Sequence, residues 1–510
     1  VLRQAIQHVL FDVGAKSQTP NFSTFTLEGA MKAQSSAGKE SSIYLGSKLL
    51  TKSLSFGLIP VWTFVFSPNQ YGVIGNLMAW AGFLSPLIMI GLPSATIRLK
   101  SDCSDEEQWY RFVGSIALTL LATSGIFLIA SWLIGPFAWN WLTSGDIPYW
   151  PLVPITLVAV SLGALARLAL VVHQAEQQPG KVMAYEQALS TGVIVCALVG
   201  VFLFHGGVTG YMFGGLVGAA SVSLFFAATL WKRRSGFYFE GALVSDAVRY
   251  GLPLIPQALA AWTLNLSDRV MLERFSVRSE AGLYNLAANF GIVISMVAIS
   301  INQALLPRYL QRAKESFESR EARGAALREV VIRGFIVLLG IFIMAATAGP
   351  MVLGWMVNER YLEALPLLVP ILGGCFFFGM GQFLILPLLY EKKTKFVAAI
   401  AVIGAVVNVA LNLYFIPKHG AIAAAYTTLV SYAFTCLLAY SFARRADWFG
   451  MGARELVAIC GGASLSLVLC LHFEGPGVAD LLWRFTLNGM LLAAFAWWLW
   501  KLTGTHETSS

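Results

Sequence analysis

From Ile43 to Leu502 the chain contains fourteen successive runs of apolar residues, each near the ~20 residues that a helix needs to cross a bilayer. They lie at about 43–66, 71–97, 113–140, 151–172, 186–204, 208–231, 250–272, 281–306, 334–357, 362–390, 396–416, 420–442, 455–473 and 485–502. No soluble fold can bury that much apolar side chain. The composition agrees: 57% of the residues are hydrophobic, 12% are charged and the mean hydropathy is +0.68. In hydrocarbon the backbone must satisfy its own hydrogen bonds, so runs of this length predict an all-α, multi-pass membrane protein.

The net charge of +8 would suit a nucleic-acid binder if the basic residues were spread over a soluble surface. Here they follow the loops. Loops after even-numbered spans hold 21 Lys and Arg, and those after odd-numbered spans hold 6. By the positive-inside rule this predicts that both termini are cytoplasmic and leaves no nucleic-acid partner to invoke. The largest loop, 307–333, is charged and poor in Gly and Pro, and is expected to form an amphipathic connecting helix. Residues 1–42 form a polar N-terminal tail without the apolar core of a signal peptide. Because Met31-Lys32 stands just before the first span, the natural start is expected at Met31.

The six cysteines show no metal-ligand spacing and most lie inside apolar runs, so no metal site or disulfide framework is predicted. Phosphate-binding, zinc-protease and serine-hydrolase motifs are lacking, and outer loops are at most about a dozen residues long. The chain therefore reads as a transporter and not an enzyme.

A shift of about 210 residues aligns one part of the sequence with another. Gly72 falls on Gly282, and Arg98 on Arg308 at the cytoplasmic helix ends. PLVPI at 151–155 matches LLVPI at 367–371 with a small gap, HGGVTG at 205–210 resembles KHGAIA at 418–423, and Arg233-Arg234 falls on Arg444-Arg445. The unit contains six spans, an even number, so both copies share one orientation and their pseudo-two-fold runs along the membrane normal. The expected plan is an N-lobe at 43–234, a linking loop at 235–249, a C-lobe at 250–445, and a peripheral helix pair with the C-terminal tail at 446–510.

Ionisable groups inside the membrane are the natural candidates for function. Arg167 sits within the fourth span and has no carboxylate in its own helix; it either snorkels toward the cytoplasm or lines an anion-binding cavity. Lys48 and Lys52 share one face of the first span with Ser55, and are expected to join Arg167 in a cationic cavity between the lobes. Lys48 lies close enough to the helix end to snorkel instead. In the seventh span Asn265, Asp268 and Arg269 fall at i, i+3 and i+4, and so are expected on one face. They read as gate or lobe-closure residues, with a structural pairing of Asp268 and Arg269 as the alternative. Asn408, Asn412 and Gln382 read as hydrogen-bonding glue between helices.

Four blocks resemble the bacterial polysaccharide flippases (Wzx-type) of the MATE/MOP transporter superfamily: 67–98, YGLPLIPQALAAWTLNLSDRVML at 250–272, 279–310 and NVALNLYFIPKHGAIAAAYTTLVSY at 408–432. Together they make the likeness coherent over about 43–445, and Asp268 and Arg269 match the family's SDR element. The resemblance implies a flippase of the bacterial inner membrane that moves undecaprenyl-diphosphate-linked oligosaccharides by alternating access, for O-antigen, capsule or exopolysaccharide synthesis. Its implied partners are this lipid-linked substrate, membrane lipids, a polysaccharide polymerase and chain-length proteins. No bound cofactor is implied, and the energy source would be a coupling cation (Na+ or H+) or the membrane potential. The lipid II flippases and multidrug–cation antiporters of the same superfamily are alternatives, and a membrane polymerase or ligase is the enzymatic one. The basic character of the buried first-lobe charges counts against cation cargo.

Overall fold

Wherever the computed structural model describes the chain, it is helix joined by short turns, with no strand among the described residues. These are residues 46, 50–143, 147–232, 239–315, 320–445, 452–472 and 478–504. The polar tail at 1–42 and Lys48 lie outside them. In the first half the helices are α1 (Leu50–Val65), α2 (Pro68–Met89), α3 (Leu92–Leu99), α4 (Glu106–Leu142), α5 (Leu152–Ala175), α6 (Pro179–Phe202) and α7 (Gly207–Lys232). The short α8 (Gly241–Gly251) leads into α9 (Ile255–Phe275), α10 (Arg278–Glu315), α11 (Arg320–Met356), α12 (Leu365–Leu384), α13 (Leu386–Tyr390) and α14 (Thr394–Arg445). Last come α15 (Ala453–His472) and α16 (Val478–Gly504).

Among the described residues, ten helical segments are long and apolar enough to cross a membrane. Four further spans complete the set. α1 is described only from Leu50, α9 carries Asp268, Arg269, Glu273 and Arg274, and α16 has the length at 27 residues. α14 is two helices, since Gly420 breaks it with φ 58° and ψ −139°. That brings the number to the fourteen expected from the sequence, and the protein is a multi-pass, all-α membrane protein.

Helix ends follow local chemistry. Ser67 and Gln70 form a reciprocal capping box at the start of α2, with Pro68 in its first turn. At the other end Ile90 and Gly91 adopt positive φ (47° and 68°) and stop it. Asp105 caps α4 by accepting the Gln108 N–H at 2.7 Å. The break in α14 is capped from another helix: the Glu280 carboxylate accepts the Ala421 N–H at 2.8 Å and the Ser276 hydroxyl at 2.6 Å.

Within the first lobe α6 and α7 pack backbone to backbone, and a Cβ on Gly218 would lie 2.5 Å from the Val193 Cα. In the second lobe the largely buried α12 packs against α10, α11 and α14. The final pair, α15 and α16, packs on α11, and an Arg328–Glu455 ion pair joins α11 to α15. The connector at 307–333 is not a separate amphipathic helix: α10 runs on to Glu315 and α11 already begins at Arg320.

α2 forms the seam between the lobes. It packs along both α9 and α10. Gly72 and Gly282, which the repeat makes equivalent, meet here, and a Cβ on Gly72 would lie 3.1 Å from the Gly282 N. Contact between equivalent residues is what a pseudo-two-fold axis produces where it passes through the interface. Farther along the seam Trp262 donates to the Ala79 carbonyl at 2.7 Å. At the far end Gly91 and Gly251 are in contact, and a Cβ on Gly91 would lie 2.6 Å from the Gly251 Cα.

Candidate functional site: a cationic chamber between the lobes

Two abutting cavities of about 200 and 190 Å3 share Trp62, Tyr71, Tyr211 and Asn289 as walls, and so form one chamber between the lobes. Lys52 of α1 lines the first and Arg269 of α9 the second. The walls between them are aromatic and amide. Trp62 meets Tyr211 edge to face at 5.1 Å, and Asn289 donates to the Tyr71 hydroxyl at 3.0 Å. Among the described residues that line the chamber, none is acidic.

Arg269 is only 7% exposed, yet no described residue forms an ion pair or side-chain hydrogen bond with it, and its Nε is buried without a partner. An arginine held this way keeps its donors available for an anion. Lys52 is exposed and likewise has no ion-pair partner among the described residues. Flexible lysine at one end and planar arginine at the other give the chamber two different anion-binding groups.

The trio expected on one face of the seventh span is divided. Adjacent helical residues point about 100° apart, so Asp268 and Arg269 enter different surroundings. Asp268 turns into the C-lobe and is 4% exposed. Its Oδ2 accepts a short hydrogen bond from Tyr284 and one from Thr428 at 3.5 Å, and its Oδ1 accepts the Arg269 N–H at 2.9 Å. Beside it Ser267 donates to Asn408 Oδ1 at 3.4 Å, Asn412 donates to the same atom at 3.1 Å, and Thr427 donates to Asn412. Asn408 and Asn412 thus do serve as interhelical glue, through Ser267 on α9 and Thr427 and Ser431 beyond the break in α14. Asn265 is held by the Tyr432 hydroxyl at 2.9 Å and faces a different cavity.

Arg167 does not join Lys52. It lines a groove of about 630 Å3 on the other side of the α2–α9 seam, together with Asn265. Arg98 lies at the end of α3, exposed and 3.4 Å from Asp102. Arg308 lies on α10, its side chain outside the described residues.

Sequence reasoning missed two contacts that tie the end of α1 to the segment just before α12. Arg360 donates to the Phe64 carbonyl at 2.7 Å, and Tyr361 donates to the Phe66 carbonyl at 3.0 Å. Phe64 lies in the last turn of α1 and Phe66 is its C-cap, where backbone carbonyls lack intrahelical donors. Tyr361 also packs edge to face on Tyr71 at 5.9 Å. The available signal was Arg360, a lone cation in a very short loop.

At the far end of the first lobe Glu176 ties α5 to α4. It accepts from the Tyr110 hydroxyl at 2.7 Å and the Trp109 Nε1 at 3.1 Å, and His173 Nδ1 lies 3.4 Å away. Burial pushes its carboxyl up, but the contacts with His173 and Trp109 and the charge of Lys100 outweigh it, holding the group below its ordinary value.

The profile of the polysaccharide biosynthesis protein family matches residues 37–312. The succinoglycan biosynthesis transport protein ExoT of Rhizobium meliloti (strain 1021) is 23% identical over 289 residues, which is 56% of this chain and 56% of that protein, so the match spans just over half of its length. Among solved structures, the lipid II flippase MurJ in an inward closed conformation superposes with a TM-score of 0.70 at 16% identity, covering 89% of this chain and 98% of that one. An inward-facing multidrug resistance MATE family transporter of the MOP superfamily gives 0.60 at 14% identity, over 78% and 94% of the two chains. These likenesses show a shared fold.

Proposed function

The chain belongs to the polysaccharide biosynthesis protein family, and from that premise we propose that it is a flippase. Its substrate is an undecaprenyl-diphosphate-linked oligosaccharide, carried from the cytoplasmic to the outer leaflet of the bacterial inner membrane through the inter-lobe chamber. The observation that carries this reading is Arg269, a buried cation with no ion-pair or side-chain hydrogen-bond partner among the described residues, facing a chamber whose other end is lined by Lys52. A lipid diphosphate needs positive groups within the membrane. The guanidinium suits its oxygens as a bidentate fork and the ammonium as a mobile point charge. Trp62, Tyr71, Tyr211 and Asn289 suit the sugar, offering apolar ring faces and hydrogen-bonding groups together. The lack of acidic groups among the described lining residues argues against cationic cargo.

The chamber needs no bond-making group: its task is binding and exposure to alternate sides. The chain's own residues divide that task, with Lys52 nearer the expected cytoplasmic end, Arg269 deeper, and Arg360 with Tyr361 closing the outer end. Coupling belongs at Asp268, whose buried carboxylate has no ion-pair partner among the described residues. The hydroxyls of Tyr284 and Thr428 that bond it suit a carboxylate that takes up a proton or a sodium ion. A charge change there would be felt by Arg269, one residue along.

Complementation tests the reading. In a strain lacking its polysaccharide flippase the wild-type chain restores surface glycan, whereas Arg269→Gln and Lys52→Gln, present in the membrane at normal levels, lower export at least tenfold. Full export by both variants would refute the chamber. Rescue of a lipid II flippase deletion alone would reassign the substrate.

A further inference from the structure

We propose that the groove holding Arg167 is a separate binding site for the phosphate headgroup of an anionic glycerophospholipid. It goes beyond the transport reading and does not depend on it. The groove has about 630 Å3, within the ~300–1,000 Å3 typical of ligand sites. Among the described residues that line it, Arg167 carries the only charge. The Arg167 side chain is exposed and has no ion-pair or hydrogen-bond partner among the described residues. Ser85, Ser94 and Asn265 add neutral polar groups. Pro86 supplies no N–H to the Gly82 carbonyl, so this lining residue presents an acceptor as well. One cation, several hydroxyl or amide donors and a bare carbonyl match a phosphodiester bearing a hydroxylated headgroup such as glycerol.

Depth fits a lipid better than a soluble anion. Arg167 lies eight residues before the end of α5, about 12 Å inside it, within reach of a headgroup drawn slightly into the bilayer. The seam formed by Trp262 against Ala79 and Gly82 separates the groove from the Lys52–Arg269 chamber, so its occupant does not share the transported molecule's space. Its walls come from α2, α3 and α5 on one side and α9 on the other. An occupant bridges the two lobes, and its affinity is therefore linked to their separation.

The test uses the full-length protein in nanodiscs of mixed phosphatidylglycerol and phosphatidylcholine, with retained lipid counted by native mass spectrometry. Wild type retains phosphatidylglycerol over phosphatidylcholine by about tenfold, the scale of one charge-assisted contact. Arg167→Gln loses that preference, Arg167→Lys keeps part of it, and Lys52→Gln keeps all of it. Ser85→Phe, which fills the groove without removing a charge, loses it too and covers the case in which the arginine variants fail to fold. Equal retention by wild type and Arg167→Gln overturns the proposal. So does displacement of phosphatidylglycerol from wild type by a polyprenyl diphosphate lipid, which would make the groove part of the substrate route. Because the readout is lipid retention, the flippase reading and this one can fail separately.

Discussion

Replacing Tyr361 by Phe removes one hydroxyl from the contact that, on the proposed orientation, shuts the outer end of the chamber. In the closed state that hydroxyl donates to the Phe66 carbonyl at 3.0 Å, and Tyr361 is fully buried. When the lobes part there, both groups meet water. The closed arrangement therefore loses the net worth of one neutral hydrogen bond, about 1 kcal/mol. Since 1.4 kcal/mol is a factor of ten, the population open at that end should rise about fivefold. Arg360→Ala removes a charged but exposed donor to the neighbouring Phe64 carbonyl, and solvent screening holds its effect to about the same size or less. Ile292 lines the chamber on α10 and offers a reporter once the six native cysteines are replaced. The rate at which an impermeant maleimide, applied from the outer face, modifies Ile292→Cys should rise about fivefold in Tyr361→Phe. The double variant should rise further. An unchanged rate in correctly inserted protein would show that these bonds do not hold the gate.

Gly282→Ala tests the seam itself: its new Cβ would collide with the Pro68 carbonyl and lie 3.1 Å from the Gly72 N. Outer-face labelling should rise at least as much as in Tyr361→Phe, since overpacking costs about 1–3 kcal/mol. Gly57→Ala, with nothing within 4 Å of its new Cβ, should leave labelling unchanged. Asp268→Asn should abolish the response of flipping in proteoliposomes to imposed proton and sodium gradients; a preserved response would remove Asp268 from coupling. Glu176 has a lowered pKa in the folded protein, so its charge stabilises the fold above its ordinary value of about 4.3 and ceases to do so as the pH falls through the folded pKa. The Tm gap between wild type and Glu176→Gln should be full at pH 7 and shrink below about pH 4. A gap independent of pH would mean that Glu176 acts through packing alone.

Hydropathy made the spans legible because burial in lipid acts on each helix separately and leaves its mark in local composition. The glycine repeat was legible for another reason: Gly72 and Gly282 sit where two backbones touch, and any side chain there is excluded. The charges were harder. Arg167, Lys52 and Arg269 each stand out in a span as costly residues, yet composition cannot say on which side of a neighbouring helix a side chain emerges. The α2–α9 seam decides that, sending Arg167 to one groove and Lys52 with Arg269 to another. The contacts of Arg360 and Tyr361 were less legible still, because their acceptors are the backbone carbonyls of Phe64 and Phe66, which any residue would supply.

On the proposed mechanism, the step at Asp268-Arg269 lets one helix serve both binding and coupling. Spacing by i and i+3 or i+4 suggested a shared face, but the informative relation is i and i+1. A rotation of about 100° puts the carboxylate against the Tyr284 and Thr428 hydroxyls of the C-lobe and the guanidinium in the chamber, with a single peptide between them. Charge can then change on one side of α9 without the two ligands ever sharing a space. Neutralising Asp268 removes an attractive field from Arg269 and leaves the guanidinium freer to hold an anion; restoring the carboxylate weakens that hold. On the proposed mechanism, separation by a helix wall with coupling through one backbone step would make the affinity of the chamber depend on the charge state of the lobe behind it.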